Sequence, residues 1–103
     1  PYSDPIADGP VIQASYTRAL EKKVKLAEIL KTAGQFAPTL AHEKSRVPVV
    51  TMVSYAIIYR HGLAKYVADA KAAGIAGAIV PDLLVEESAE FSELCRKEDF
   101  SLI

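Results

Sequence analysis

Val47 Pro48 Val49 Val50 Thr51 Met52 Val53 is an almost unbroken apolar run in which β-branched residues dominate. Such a run is typical of a strand covered on both faces in a parallel sheet, because a half-exposed strand would alternate apolar and polar residues. Pro48 lies near the start of the run, where the loss of one backbone donor is tolerable. The sequence therefore predicts a buried parallel strand over residues 47–53.

Two further runs of this kind follow, a buried strand at residues 76–81 and the opening of another at residues 100–103. The strand starts are separated by about thirty residues, the length of one βα unit of a barrel. This alternation predicts an α/β protein with parallel strands. Periodicity alone leaves two architectures open, a partial (β/α)8 barrel and an open doubly wound sheet.

Apolar residues at helical spacing separate the strands and also precede the first one. Residues 11–20 have moderate helical character, and residues 24–37 form a longer helical pattern. We expect Gly34 and Pro38 to end or kink this long helix, and Gly74 to stop the helix before the second strand. The expected buried stripes are Leu26, Ile29, Leu30, Ala33 and Phe36; Leu63, Tyr66, Val67, Ala70 and Ala73; and Leu84, Ser88, Phe91 and Cys95.

The first ten residues, Pro1 Tyr2 Ser3 Asp4 Pro5 Ile6 Ala7 Asp8 Gly9 Pro10, have a composition that excludes regular helix or strand. Three prolines fix φ and remove backbone donors, and glycine tolerates positive φ. The segment is therefore predicted to be a shaped loop. Considered by themselves, Asp4 and Asp8 are most simply turn and cap formers.

This loop and the Val11 Ile12 Gln13 that follows it resemble the loop after the second strand in the tryptophan synthase alpha chain family. The similarity continues through residues 49–55, 59–62 and 79–88 in the order that this family uses. It implies a partial (β/α)8 barrel, with residues 1–103 forming a single segment from the loop after strand 2 to the start of strand 5. Since a complete barrel needs about 250 residues, we expect the chain by itself to be an incomplete and inactive piece.

The resemblance implies retro-aldol cleavage of indole-3-glycerol phosphate to indole and glyceraldehyde 3-phosphate, and a catalytic role for Asp8. A carboxylate at this position would accept a hydrogen bond from the indole N–H and stabilise the positive charge that develops on the ring. The glutamate that the family pairs with this aspartate falls upstream of Pro1. The phosphate site is built from later loops of the barrel, beyond Ile103.

By the same resemblance, Met52, Ser54, Ile79 and Pro81 line the indole pocket, although each is also compatible with ordinary barrel core. Many relatives have tyrosine at the position of Ser54, whereas here tyrosine follows as Tyr55, so the pocket wall is expected to differ. Relatives also usually carry glycine at the position of Lys23, so the first two helices are expected to fuse.

The resemblance further implies docking on the tryptophan synthase beta chain, with Pro1 and Asp4 at the interface; an Asx turn is the alternative for Asp4. It implies no cofactor for this chain, because pyridoxal phosphate belongs to the beta partner. It also implies a role in tryptophan biosynthesis in the cytoplasm, or in the plastid stroma if the source is a plant or alga.

Composition excludes several other classes of function. The 103 residues are half apolar, with a net charge of −1 and no basic patch, so neither nucleic acid nor a membrane surface is an expected partner. The apolar runs are too short to span a bilayer, and the single cysteine cannot form an internal disulfide. No Gly-x-Gly-x-x-Gly or Walker loop follows the two central strands, so nucleotide binding is not indicated.

Four further residues have side chains that could take part in catalysis or metal binding. Asp82 follows a strand, where it would either orient loop backbone or water or serve a plain turn role. His42 and His61 lack further ligands at metal spacing, so surface or capping roles are expected and no metal is predicted. Cys95 lies on an apolar stripe and is most simply a small buried hydrophobe.

Three functional hypotheses remain from the sequence. The first is the alpha chain of tryptophan synthase, a carbon-carbon lyase working with a beta partner. The second is a stand-alone indole-glycerol-phosphate lyase that releases free indole. The third is a non-catalytic barrel fragment that acts only in protein interaction.

Overall fold

The computed structural model describes residues 8–40 and 47–103. The helices and strands follow one another in the order that the periodicity predicts. They are α1 Pro10–Glu21, α2 Leu26–Leu40, β1 Val49–Met52, α3 Tyr55–His61, α4 Leu63–Ala72, β2 Ile75–Ile79, α5 Ala89–Lys97 and β3 Ser101–Leu102, with a 3-10 turn at Val85–Glu87 before α5.

The strands form a three-stranded parallel sheet in the order β1-β2-β3. Each strand therefore lies beside the next one in sequence, joined to it by crossover helices. The helices α4 and α5 contact each other as well as the sheet, which places both on the same face. Consecutive barrel units have this arrangement, and one half of a doubly wound sheet shares it, so the three strands alone do not separate the two architectures.

An aromatic cluster fills the space between the helices and the sheet. Tyr66 of α4 is fully buried and packs against Phe91 of α5 and Phe100, with ring centroids 6.5 and 6.3 Å away. Its hydroxyl lies 2.6 Å from Oγ1 of Thr51 in β1, so the one polar atom of the ring has a partner. Burial raises the pKa of Tyr66 above its ordinary value.

Residues 8–40 and 47–103 leave the opposite face of the sheet open. Val50 and Met52 are 39% and 54% exposed, whereas Val53 is fully buried. The prediction that residues 47–53 form a strand covered on both faces is therefore wrong for this chain. The packed helices in the described part of the chain lie on one side, and the other side corresponds to the interior of a barrel, which layers of side chains from further strands would fill.

The first two helices are separate, so their predicted fusion is also wrong. Lys23 adopts a left-handed conformation with φ of 54°, and its N–H donates to the Leu20 carbonyl at 2.8 Å. A non-glycine residue pays roughly 1–2 kcal/mol for this conformation. The start of α2 offsets part of that cost, because Oε2 of Glu28 accepts a hydrogen bond from the Lys25 N–H at 3.0 Å.

Other helix boundaries differ from prediction in detail. The long helix runs past Gly34 and Pro38 to Leu40, so neither residue ends it. Leu84 is 61% exposed and precedes the 3-10 turn, so the last buried stripe begins later than predicted. The short helix α3 was not predicted separately. Gly74 has φ of 75° and follows the end of α4, as predicted.

We predict that residues 1–103 expressed alone will associate or fold poorly. β1 and β3 are unpaired on their outer edges within the described sheet, and the apolar side chains of Val50 and Met52 are exposed on its open face. Sedimentation and urea unfolding of the isolated chain check this expectation. A monomer with a sharp two-state transition would contradict it.

Cys95 of α5 is 1% exposed, in agreement with its predicted role as a small buried hydrophobe. Burial raises the pKa of its thiol from 9.0 to about 11. The unfolded chain therefore loses the thiol proton at lower pH than the folded chain, so the stabilising effect of the buried thiol is complete below pH 9.0 and is lost as pH approaches about 11.

We expect the free energy of unfolding of the full-length protein to fall, relative to a Cys95→Ala variant, between those two pH values. Urea titrations of both proteins across this range measure the difference, and the variant is the control for every other alkaline group. A difference that stays constant with pH would contradict the prediction.

Candidate active site

The carboxyl ends of β1 and β2 lie side by side, and two predicted pocket residues meet there. Met52 is the register partner of Ile79. Thr51 and Ala78, one residue earlier on each strand, face the helices, where Thr51 contacts Tyr66 and Ala78 is fully buried. Because side chains alternate along a strand, Met52 and Ile79 lie together on the open face. They form an apolar surface at the edge where barrel proteins place their sites.

The backbone ladder continues past the ends of the strands and fixes the beginning of the loops. The Val53 N–H donates to the Ile79 carbonyl at 3.0 Å, and the Ile103 N–H donates to the Ala78 carbonyl at 2.9 Å. Backbone hydrogen bonds therefore hold the strand ends from which the loops after Val53 and Ile79 begin.

Asp82 joins the loop after β2 to the loop after β1. Its Oδ2 accepts a hydrogen bond from the Ser54 hydroxyl at 2.6 Å, and its Oδ1 accepts one from the Tyr55 N–H at 2.8 Å. Of the two roles predicted for Asp82, the orientation of loop backbone is confirmed. Ser54 is only 8% exposed and is turned toward this carboxylate.

The partnership of Asp82 with Ser54 and Tyr55 could not be read from the sequence. Its only signal is that the residues lie shortly after predicted strands, and Ser54 and Asp82 are 28 positions apart. Pro81, the fourth predicted pocket residue, is exposed beside Asp82 and lies two residues beyond the end of β2.

Asp8 is exposed and lies just before α1. The side-chain amide of Gln13 donates to the Asp8 carbonyl at 2.8 Å, and the Gln13 N–H donates to the Gly9 carbonyl at 3.0 Å, so the loop end is tied to the first turn of α1. Within residues 8–40 and 47–103, no hydrogen bond or ion pair joins the Asp8 carboxylate to the strand ends, and α1 buries none of its residues. Pro1 and Asp4, the predicted interface residues, lie outside the described residues, as does His42.

His61 ties α3 to α4 through Asp69. Its Nε2 lies 2.7 Å from Oδ2 of Asp69, and Nζ of Lys65 lies 2.6 Å from the same oxygen. The hydrogen bonds from Lys65 and from His61 lower the pKa of Asp69 below its ordinary value. A surface or capping role was predicted for His61. In the structure this residue links α3 to α4.

No group of three or more His, Cys, Asp or Glu side chains in the described ranges is arranged to hold a metal ion. None of the helices described is long and apolar enough to cross a membrane.

Consecutive parallel βα units with their helices on one face, and polar loop residues joined at the carboxyl edge, make the chain a parallel α/β protein with the arrangement expected of a (β/α)8 barrel segment. The sequence model of the tryptophan synthase alpha chain family matches residues 1–103. The chain belongs to this family, which confirms the resemblance drawn from the sequence.

The matching relatives cover the whole chain. The tryptophan synthase alpha chain of Rhodopirellula baltica is 56% identical over 103 residues, which are 100% of this chain and 36% of the relative. That of Caldanaerobacter subterraneus is 42% identical, again over 100% of this chain and 37% of the relative. The chain therefore spans little more than a third of the length of these relatives.

Solved structures agree with the fold. The tryptophan synthase complex of Pyrococcus furiosus superposes with a TM-score of 0.86 at 41% identity, covering 99% of this chain and 40% of the matched chain. A structure of the a2b2 complex from the same organism gives a TM-score of 0.85 at 41% identity, covering 99% of this chain and 39% of the matched one.

Proposed function

We propose that the protein containing this chain cleaves indole-3-glycerol phosphate to indole and glyceraldehyde 3-phosphate, as the alpha chain of tryptophan synthase. The observation that carries the proposal is the family match over all 103 residues, which includes the complete Asp8 loop. Residues 1–103 then correspond to the stretch from the loop after strand 2 to the start of strand 5. The chain alone is an inactive piece, because the second catalytic carboxylate and the phosphate site belong to other parts of the barrel.

In the proposed reaction, a proton is added to C3 of the indole and the hydroxyl on the adjacent glycerol carbon loses its proton. The bond between these two carbons breaks, its electron pair returns to the ring, and the hydroxyl oxygen becomes the aldehyde oxygen of glyceraldehyde 3-phosphate. Positive charge builds up on the ring nitrogen before that bond breaks. The Asp8 carboxylate accepts a hydrogen bond from this N–H and stabilises the charge.

The apolar surface of Met52 and Ile79 supports the same proposal, because an indole ring needs an apolar wall. Both side chains lie on the open face at the carboxyl edge, and Met52 is 54% exposed. We further propose that Pro1 and Asp4 contact a beta chain, and that pyridoxal phosphate belongs to that partner. The P. furiosus a2b2 complex supports such an assembly. The proposed location is the cytoplasm, or the plastid stroma in a plant or alga.

The test is to incubate the full-length protein with indole-3-glycerol phosphate and to measure indole and glyceraldehyde 3-phosphate, with and without its beta chain. Cleavage that accelerates when the beta chain is added supports the alpha-chain proposal. Rapid cleavage without a partner favours the stand-alone lyase. Absence of cleavage under both conditions overturns the proposed function and leaves the non-catalytic interaction fragment.

A further inference from the structure

We infer that Asp82 is a positioning residue that sets the hydrogen-bonding direction of Ser54 in the wall of the indole pocket. The inference rests on the proposed function, because it concerns the same pocket. It is carried by the two hydrogen bonds that the carboxylate makes across the gap between neighbouring loops.

Both carboxylate oxygens of Asp82 accept hydrogen bonds from the adjacent βα unit. Oδ2 takes the Ser54 hydroxyl proton at 2.6 Å, within the short range of hydrogen bonds to charged acceptors. A hydroxyl has one proton to donate and two acceptor positions. Once that proton is committed to Asp82, Ser54 can only accept a hydrogen bond from any other group. The carboxylate thereby determines that this part of the wall presents an acceptor to a ligand.

The second oxygen fixes the backbone of the same wall. Ser54 occupies the N-cap position of α3, but its side chain makes no capping hydrogen bond. Asp82 instead accepts the Tyr55 N–H at 2.8 Å, an orphan donor of the first helical turn. The position of Ser54 is therefore held from both sides, through its own hydroxyl and through the next peptide group.

The adjoining residues connect this arrangement to the pocket. Ser54 is two residues beyond Met52, and Asp82 is three residues beyond Ile79, and those two apolar side chains are neighbours across the sheet. The strand ends are held by the hydrogen bond from the Val53 N–H to the Ile79 carbonyl, so a change at Ser54 acts on the loop that borders these two side chains. Misplacement of a substrate by about 1 Å costs up to about a hundredfold in rate.

The test compares Asp82→Asn, Ser54→Ala and the double variant in the full-length protein. Asparagine keeps the size of Asp82 and an acceptor for the Tyr55 N–H, but it offers Ser54 a donor in place of an acceptor. We expect Asp82→Asn to weaken indole binding and to lower kcat/KM about tenfold. In the Ser54→Ala background the same change should have little further effect, since its target is absent.

Glu86→Gln is the matched control. It removes a carboxylate from the 3-10 turn that follows Asp82, and the exposed side chain of Glu86 makes no hydrogen bond or ion pair among the described residues. Indole affinity and kcat/KM should stay within about twofold of wild type. Thermal unfolding of every variant separates loss of positioning from loss of fold.

Unchanged indole affinity in Asp82→Asn, or additive effects in the double variant, would overturn the inference. If Asp82→Asn fails to fold, the test uses Ser54→Ala, which keeps the hydrogen bond from the Tyr55 N–H to Asp82. Unchanged indole affinity in Ser54→Ala would likewise overturn the inference. A wild-type protein that binds indole but does not cleave the substrate would overturn the proposed function only. Indole affinity would then decide the inference.

Discussion

Replacement of Asp8 by asparagine in the full-length protein is expected to lower turnover of indole-3-glycerol phosphate by about two to three orders of magnitude. Asparagine keeps the size of the side chain but removes the negative charge that would face the ring nitrogen as it becomes positive. The fold should be unaffected, because Asp8 is exposed and its contact with Gln13 uses the backbone carbonyl. Steady-state kinetics measure the loss, and circular dichroism checks the fold.

Asp99→Asn is a suitable control for this experiment. Asp99 is exposed and lies at the amino end of β3, the opposite edge of the sheet from the proposed site. Its φ of 50° is a conformation that asparagine also tolerates. We expect Asp99→Asn to keep wild-type turnover. Near-normal turnover of Asp8→Asn would show that the role assigned to Asp8 is wrong.

The second large effect is expected at Gly77, in the middle of β2. A Cβ at this position would lie 2.5 Å from the Ser101 carbonyl oxygen and 2.7 Å from the Ser101 Cβ. Ser101 is the register partner of Gly77, so the clash can be relieved only by separating β2 from β3. Overpacking of this kind costs about 1–3 kcal/mol, and more where backbone has to move.

Gly77→Ala should therefore lower the melting temperature of the full-length protein by several degrees, at about 2–4 °C per kcal/mol. Gly34→Ala is the matched control. A Cβ at Gly34 in α2 would meet Ala73 no closer than 3.5 Å, an ordinary contact, and alanine is favoured over glycine within a helix. The control should be neutral or stabilising. A Gly77→Ala protein as stable as wild type would refute the close approach of the two strands.

Much of the fold could be predicted from the sequence because its signals are local. The apolar runs at residues 47–53 and 76–81 and the helical stripe around Tyr66 and Val67 were sufficient to place the first two strands and helix α4, although not the short helix α3. The predictions that failed concern positions where the local conformational preference of a residue competes with the packing of the whole fold. Lys23 adopts a left-handed conformation although it is not glycine, and of the two effects predicted for Gly34 and Pro38, an end or a kink of α2, the end is absent.

The candidate site was predictable only in part. The Asp8 loop was recognisable because its prolines, glycine and aspartates form a distinctive order, and the resemblance predicted Met52 and Ile79 as pocket residues, which the structure places side by side. The partners of Asp82 were not predictable. A carboxylate after a strand has the same sequence signature whether it closes its own turn or reaches a neighbouring loop.

By itself, the sequence determined the alternation of parallel strands and helices and the family to which the chain belongs, since periodicity and motif order are properties of neighbouring residues. The tertiary structure decided which face of the sheet is covered and that Asp82 holds Ser54 and Tyr55. Those features depend on a crossover that brings residues 28 positions apart into contact, and no local pattern encodes the outcome of that packing.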